Sequence, residues 1–228
     1  MMNWLDEQNI MLQNNIALLN GIYVSGRWLQ GFDKRLTKEM DFHLSPSKTV
    51  KVNMMKVTGY FMVSRCPILG VKILKLPLEN ERAQMLVGLT DDTEGLDSVL
   101  APNALKLWNE RHFNKEFITL YMPRFELTSD MDLTPTLMKM GISKLFSAAD
   151  LSGINDELTN VSLISQNIHL MVNERGISSI NWPLMEDNII EKQGNLSKKP
   201  TTVKLDHPFF FGILYDDMSL MFGRISNL

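Results

Sequence analysis

Val172–Asn173–Glu174–Arg175–Gly176 separates two unlike stretches of chain. Before it runs an apolar, strand-like segment from Val161 to Val172. After it, from Ile177 to Leu205, no clear periodicity is visible. Asp206–His207–Pro208–Phe209–Phe210–Phe211 then opens a strongly apolar end. A long loop without structure of its own is uncommon inside a compact domain, and is usually functional or disordered. Placed between two strand candidates, it suggests a bait loop displayed on a β-rich body.

Working outward, most of the chain reads as strands. Ile16 to Val24 is nearly all apolar and predicts a central strand covered on both faces. Val50 to Met54 alternates, as a half-buried strand does. Tyr60–Val63, Val71–Leu76, Met85–Leu89 and Phe117–Met122 are further candidates, the last ended by Pro123. Phe209–Leu214 and Leu220–Ile225 flank Tyr215–Asp216–Asp217–Met218, which predicts a hairpin. Helices are fewer. Asn103 to Arg111 is one. Thr134 as N-cap, Pro135 at the first position and Gly141 just past the end predict a second, short one. The expected fold class is α+β, multi-sheet and mostly antiparallel, as one domain over 1–228.

Composition narrows the function classes. Of 228 residues, 44% are hydrophobic and 21% charged, with a net charge of −3. Nothing global favours nucleic acid or an anionic membrane. Apolar runs fall short of a membrane-spanning helix. Cys66 is the sole cysteine, so no internal disulfide exists, and its setting predicts core filler. The 16 Met read as gap-filling core residues. Met1 to Asn15 lacks the pattern of a signal peptide. Asn160 and Asn195 open glycosylation sequons, which point to secretion.

Catalytic chemistry is missing. There is no phosphate-binding glycine loop, CxxC, HExxH or GxSxG. His43, His112, His169 and His207 are scattered without ligand spacing and read as structural or surface residues. Asp91–Asp92 and Asp216–Asp217 read as loop carboxylates. The sequence argues against an enzyme and shows no cofactor or metal site.

Motifs spread over nearly the whole chain resemble the serpins, serine protease inhibitors that trap their targets by loop insertion. They are Asn20 to Trp28, Phe32–Asp33, Thr37 to His43, Val50 to Met55, Met122–Pro123–Arg124–Phe125, Asp132–Leu133, Met140–Gly141–Ile142, Ala149 to Ile154, Asn173 to Gly176, Asp206 to Phe209 and Phe222–Gly223–Arg224. The resemblance implies a reactive-loop hinge at Glu174, Arg175, Gly176, Ile177, Ser178 and Ser179, and an exposed loop over about 177–205. It implies a fork-like pair between Glu174 and Arg124 at neighbouring strand tops. Trp28 would lie beneath the insertion point, and Asn20 and Gln166 in the shutter, with Gln166 where the family has His. Counting forward from Gly176 puts the scissile bond at Ile190–Glu191; counting back from Pro208 puts it near Ser197–Lys198. Lys192, Lys198 or Lys199 would either attract a trypsin-like protease or form a solvated basic loop. The implied partner is a serine protease, outside the cell, with no membrane, nucleic acid or oligomer.

Two departures stand out. The resemblance covers about the last three-fifths of a serpin; Met1 to Gln8 resembles the end of the helix that crosses the main sheet, and the elements before it are missing. The chain is expected to be a fragment, or not a normally folded serpin. The hinge also departs: serpins that inhibit carry small residues after the Gly, whereas here Ile177, Asn181 and Pro183 fall on one face, with Trp182 between. Pro183 has no N–H for a central strand, and Ile177 is bulky. Insertion is expected to stall, which leaves a loop cleaved as substrate. The alternative is a non-inhibitory serpin, either a binding or carrier module or an inactive relic.

Overall fold

The computed structural model describes residues 15–66, 70–90, 112–154, 160–179, 199–216 and 218–228. The expected helix at Asn103 to Arg111, Met1 to Gln8, Asp91–Asp92, Asp217, the Cys66 side chain, Asn195 and both candidate scissile bonds lie outside them. In chain order the elements are β1 (Asn15–Ile22), β2 (Ser25–Arg27), β3 (Lys38–Ser45), β4 (Lys48–Cys66), β5 (Val71–Pro77), β6 (Ala83–Thr90), β7 (Asn114–Pro123), β8 (Phe125–Asp132), α1 (Thr134–Lys139), α2 (Lys144–Ser147), β9 (Asn160–Val172), β10 (Gly176–Ser178), β11 (Thr201–Lys204), β12 (Phe209–Tyr215) and β13 (Met218–Ile225). The described residues fall into two compact units, one within Met1–Tyr23 and Leu127–Leu170, the other within Val24–Glu126 and Met171–Leu228.

In the first unit β1 runs parallel to β9 through eight residue pairs, from Asn15↔Asn160 to Ile22↔Ile168. The doubly covered strand expected here is not found among the described residues. Leu18 and Leu19, which point to opposite faces, are 46% and 40% exposed. The short helix forms, but not as the sequence predicts. Its N-cap is Leu133, with no side-chain cap. The Thr134 hydroxyl instead accepts from Ile164 N at 3.0 Å, fastening the helix to β9. Gly141, at φ +95°, ends the helix in the left-handed conformation glycine favours.

In the second unit β11, β7, β4, β5, β6, β12 and β13 lie side by side, with β3 also on β4. All pairings are antiparallel except β11 with β7. Val50–Met54 and Tyr60–Val63, which read as separate strands, are one strand of 19 residues. Gly59 does not turn the chain; it makes room for Gln30, whose Nε2 donates to Thr58 O at 2.9 Å. Within β4 the exposed positions pass from odd residues such as Lys51 and Asn53 to even ones, Thr58, Tyr60 and Met62. One strand therefore serves two covered faces in turn.

β12 explains the apolar C-terminal end. Phe209, Phe210 and Phe211 are all fully buried. Alternation sends Phe210 to one face, against Val71, Ile73, Leu86 and Leu214. Phe209 and Phe211 take the other, both in ring contact with Phe125. Opposite Phe210 stands Gly88, where a Cβ would lie 1.8 Å from the ring. The predicted hairpin is present. Asp216 takes φ 48° at its turn, and Arg82 grips the carboxylate with Nε at 3.1 Å and Nη2 at 2.6 Å.

Candidate functional site

The second unit holds a hairpin built from the stretch that decides the fold. Val172 pairs with Ile177 and Met171 with Ser178, so Asn173–Gly176 is a tight turn. Asn173 is suited to it: its Oδ1 accepts from Arg175 N at 2.9 Å and Gly176 N at 3.3 Å. Three of the turn's carbonyls are taken by the 28–32 segment, and the fourth, Gly176 O, accepts from Asn173 N at 3.0 Å. Trp28 Nε1–H donates to Asn173 O at 2.8 Å, Trp28 N to Arg175 O at 2.8 Å, and Phe32 N to Glu174 O at 2.9 Å. Trp28 is 4% exposed and meets Phe32 edge-on at 6.2 Å. It therefore fastens the turn from below, apolar body buried and N–H satisfied.

Glu174 is 7% exposed, so its charge needs partners. Arg124 and Thr37 supply them. Arg124 Nη2 donates to Oε1 at 2.6 Å and Oε2 at 2.8 Å, and the Thr37 hydroxyl to Oε1 at 2.7 Å. The contact with Arg124 is end-on: one nitrogen serves both oxygens, where a two-pronged fork was expected. Burial pushes the Glu174 carboxyl up, but the bonds from Arg124 and Thr37 outweigh it and hold the group below its ordinary value.

β10 continues from this turn and is a strand on both edges. It pairs antiparallel with β9 and, through Gly176↔Arg27, Ile177↔Gly26 and Ser178↔Ser25, with β2. Ser179 extends the contact: its N donates to Val24 O at 2.9 Å and its Oγ accepts from Val24 N at 3.0 Å. Residues 177–179 therefore do not belong to an exposed loop, and neither do Thr201–Lys204, which form β11, nor the buried Leu205. Ile177 is also not the obstacle its bulk predicts. It is 2% exposed, and its partner Gly26 sets no side chain against it. Gly176 is demanded by close approach, since a Cβ there would lie 1.9 Å from Gly26 O.

In the first unit Asn20 and Gln166 are register partners across β1 and β9. Asn160 is half-buried, and its Oδ1 accepts from Ala149 N at 3.2 Å. Sequence reasoning missed the roles of Thr37 and Gly26. A buried carboxylate signals the need for a second donor, but 137 residues separate Thr37 from Glu174.

A family model described as serpin (serine protease inhibitor) matches residues 2–228. The chain belongs to the serpin family. It is 34% identical over 223 residues to Serpin A3-5 of Bos taurus, covering 93% of this chain and 51% of that one. An alpha-1-antitrypsin homolog of Cyprinus carpio is 29% identical over 228 residues, covering 98% of this serpin and 58% of the relative. Among solved structures, Serpin48 of the insect Tenebrio molitor, described as a highly specific serpin, superposes with a TM-score of 0.77 at 29% identity, over 93% of this chain and 56% of that one. The present serpin thus spans about half to three-fifths of the length of these relatives.

Proposed function

We propose that this serpin inhibits a serine protease by presenting the segment between β10 and β11 as bait. The protease's serine would attack the carbonyl of a loop bond, at Ile190–Glu191 or Ser197–Lys198. The resulting acyl-enzyme would be held if the loop then entered the sheet. The observation that carries this reading is β10 itself. The hinge residues Gly176–Ser178 already form a strand with neighbours on both sides, and Ile177 is packed there. Entry past Ser179 meets Asn181 and then Pro183, which lacks the N–H a central strand uses. The trap is therefore expected to be inefficient, with nicking the main outcome. In line with the family resemblance, we place the target protease outside the cell.

The test is incubation of the chain, and of its Pro183→Ala and Ile177→Thr variants, with elastase, which accepts Ile190 or Ser197 before the cut, and with trypsin and chymotrypsin. Covalent complex and nicked chain are separated by denaturing electrophoresis. Pro183→Ala is expected to raise the share of covalent complex, and Ile177→Thr to leave it unchanged. Absence of any preferential cleavage between Ser179 and Leu205 would sink the bait reading. Pro183 also favours a second reading, a non-inhibitory binding module. That reading gains if nicking occurs without complex and without a rise in melting temperature.

A further inference from the structure

Four strands of the second unit place lysines and aromatic rings in register on one face. The rows run across β11, β7, β4 and β5. Lys204, Tyr121 and Lys56 share the first. Thr202, Thr119 and Thr58 share the second. Phe117 and Tyr60 make the third, and Lys115, Met62 and Lys75 the fourth. Residues opposite one another in a ladder project to the same side. Side-chain contacts agree: Lys204 and Lys56 stand 5.9 Å and 5.6 Å from the Tyr121 ring, Lys115 5.3 Å from Tyr60, and the Tyr60 and Phe117 rings are 5.2 Å apart. The face is open to solvent at Tyr60, 49% exposed, and Met62, 40%, while Phe117 and Thr119 are buried beneath them. No row contains Asp or Glu, in a chain whose net charge is −3. Asp206, two residues past Lys204, hydrogen-bonds His207 at 3.1 Å.

We infer that this face is a docking surface for an acidic patch on the protease that the loop engages, and so sets which protease is chosen. The inference rests on the bait reading above. The layout is that of a protein interface, with an aromatic centre and charges at the rim. A uniform polyanion would be met by evenly spaced cations. Here the lysine pairs lie about 20 Å apart along the strands, with hydroxyl and aromatic rows between. At about 14 Å by 20 Å, the face supplies roughly a third of the ~800 Å² a stable partner buries. It therefore needs a second contact. β11, which carries Lys204, is the strand that follows the bait segment, so a protease on the loop is placed to supply that contact.

The test compares nicking of the full chain by anionic and cationic trypsins, which share a primary specificity and differ in surface charge. The rate of cleavage between Ser179 and Leu205 is the readout, so the test works whether or not a covalent trap forms. At about 50 mM salt the anionic enzyme is expected to cut roughly tenfold faster, and the two rates to converge at high salt. Lys56→Glu/Lys115→Glu/Lys204→Glu should abolish the preference, and the corresponding Gln variant should reduce it. Lys34→Glu/Lys48→Glu/Lys72→Glu, an equal charge change within the same unit and outside the four rows, should retain it. Equal wild-type rates, or a preference equally lost in the control, would overturn the inference. So would heparin binding that needs the three lysines while the trypsins are not distinguished, since the face would then serve a sulfated polysaccharide.

Discussion

Replacing Glu174 with Gln keeps the shape of the side chain and removes its charge. The wild-type carboxylate accepts three hydrogen bonds, two from Arg124 Nη2 and one from Thr37. Hydrogen bonds to a charged group are each worth about 1.5–3 kcal/mol net when buried. The Arg124 side chain is 40% exposed, so solvent screens its share and argues for the low end. The expected loss for Glu174→Gln is about 2 kcal/mol, or roughly 4–8 °C in Tm at this chain length. Arg124→Gln should cost more, about 3 kcal/mol, because it strands a buried carboxylate. The double variant should recover about 1–2 kcal/mol of coupling. The sign with pH follows from the direction of the shift. The folded carboxyl lies below its ordinary value of 4.5, so its stabilisation is fully present above that value. It is lost as pH falls through the lower, folded value. Wild type and Glu174→Gln should therefore differ most near neutral pH and converge in acid. Urea unfolding across that range measures the gap. A gap below about 0.5 kcal/mol at neutral pH, or one that persists unchanged in acid, would refute the reasoning and reduce the pair to an ordinary surface contact.

Gly176→Ala drives a Cβ into the Gly26 carbonyl and should part β10 from β2; amide exchange at Trp28 and Ser179, which donate to Arg175 O and Val24 O across this ladder, should then speed up, and unchanged protection would contradict the close approach. Phe210→Ala empties the centre of one core cluster and should cost about 3–5 kcal/mol, read from the denaturant midpoint. Secreted from a glycosylating host, the chain should carry no glycan at Asn160, because that side chain is half-buried and engaged by Ala149; intact mass with peptide mapping decides the point.

What the sequence could reveal depended on whether the cause was local. Phe209 to Ile225 was legible as a hairpin because alternation, a turn and the apolar run sit within one stretch. β3 and β8 left no such mark. In β8 Phe125 is the only buried residue, so the strand is polar almost throughout and exists through its neighbours. The long β4 was divided in two because Gly59 reads as punctuation, whereas its cause is Gln30, 29 positions away in the chain. The pairing of Glu174 with Arg124 came from the family wording and not from spacing, since they stand 50 positions apart. The end-on geometry and the Thr37 bond are three-dimensional facts with no sequence signal of their own.

The hinge shows why a bulky residue is a poor guide to whether a loop can enter a sheet. Ile177 fails the small-residue pattern, yet it is buried with strands on both sides, because Gly26 across from it carries no side chain. Room is a property of the pair, not of the inserting residue. A missing donor differs in kind. The N–H of a central-strand residue either meets a carbonyl or leaves it bare, and no neighbour can restore what Pro183 lacks. In the first unit, β1 and β9 are joined directly through eight residue pairs. A strand entering between them must break that ladder, at about 1 kcal/mol per hydrogen bond, and recover it on two edges. Small gaps in that exchange decide whether insertion outruns hydrolysis of the acyl-enzyme. On the bait reading proposed above, the barrier to trapping belongs at Asn181 and Pro183 and not at Ile177, so changing Ile177 alone should leave the partition between complex and nicked chain where it is.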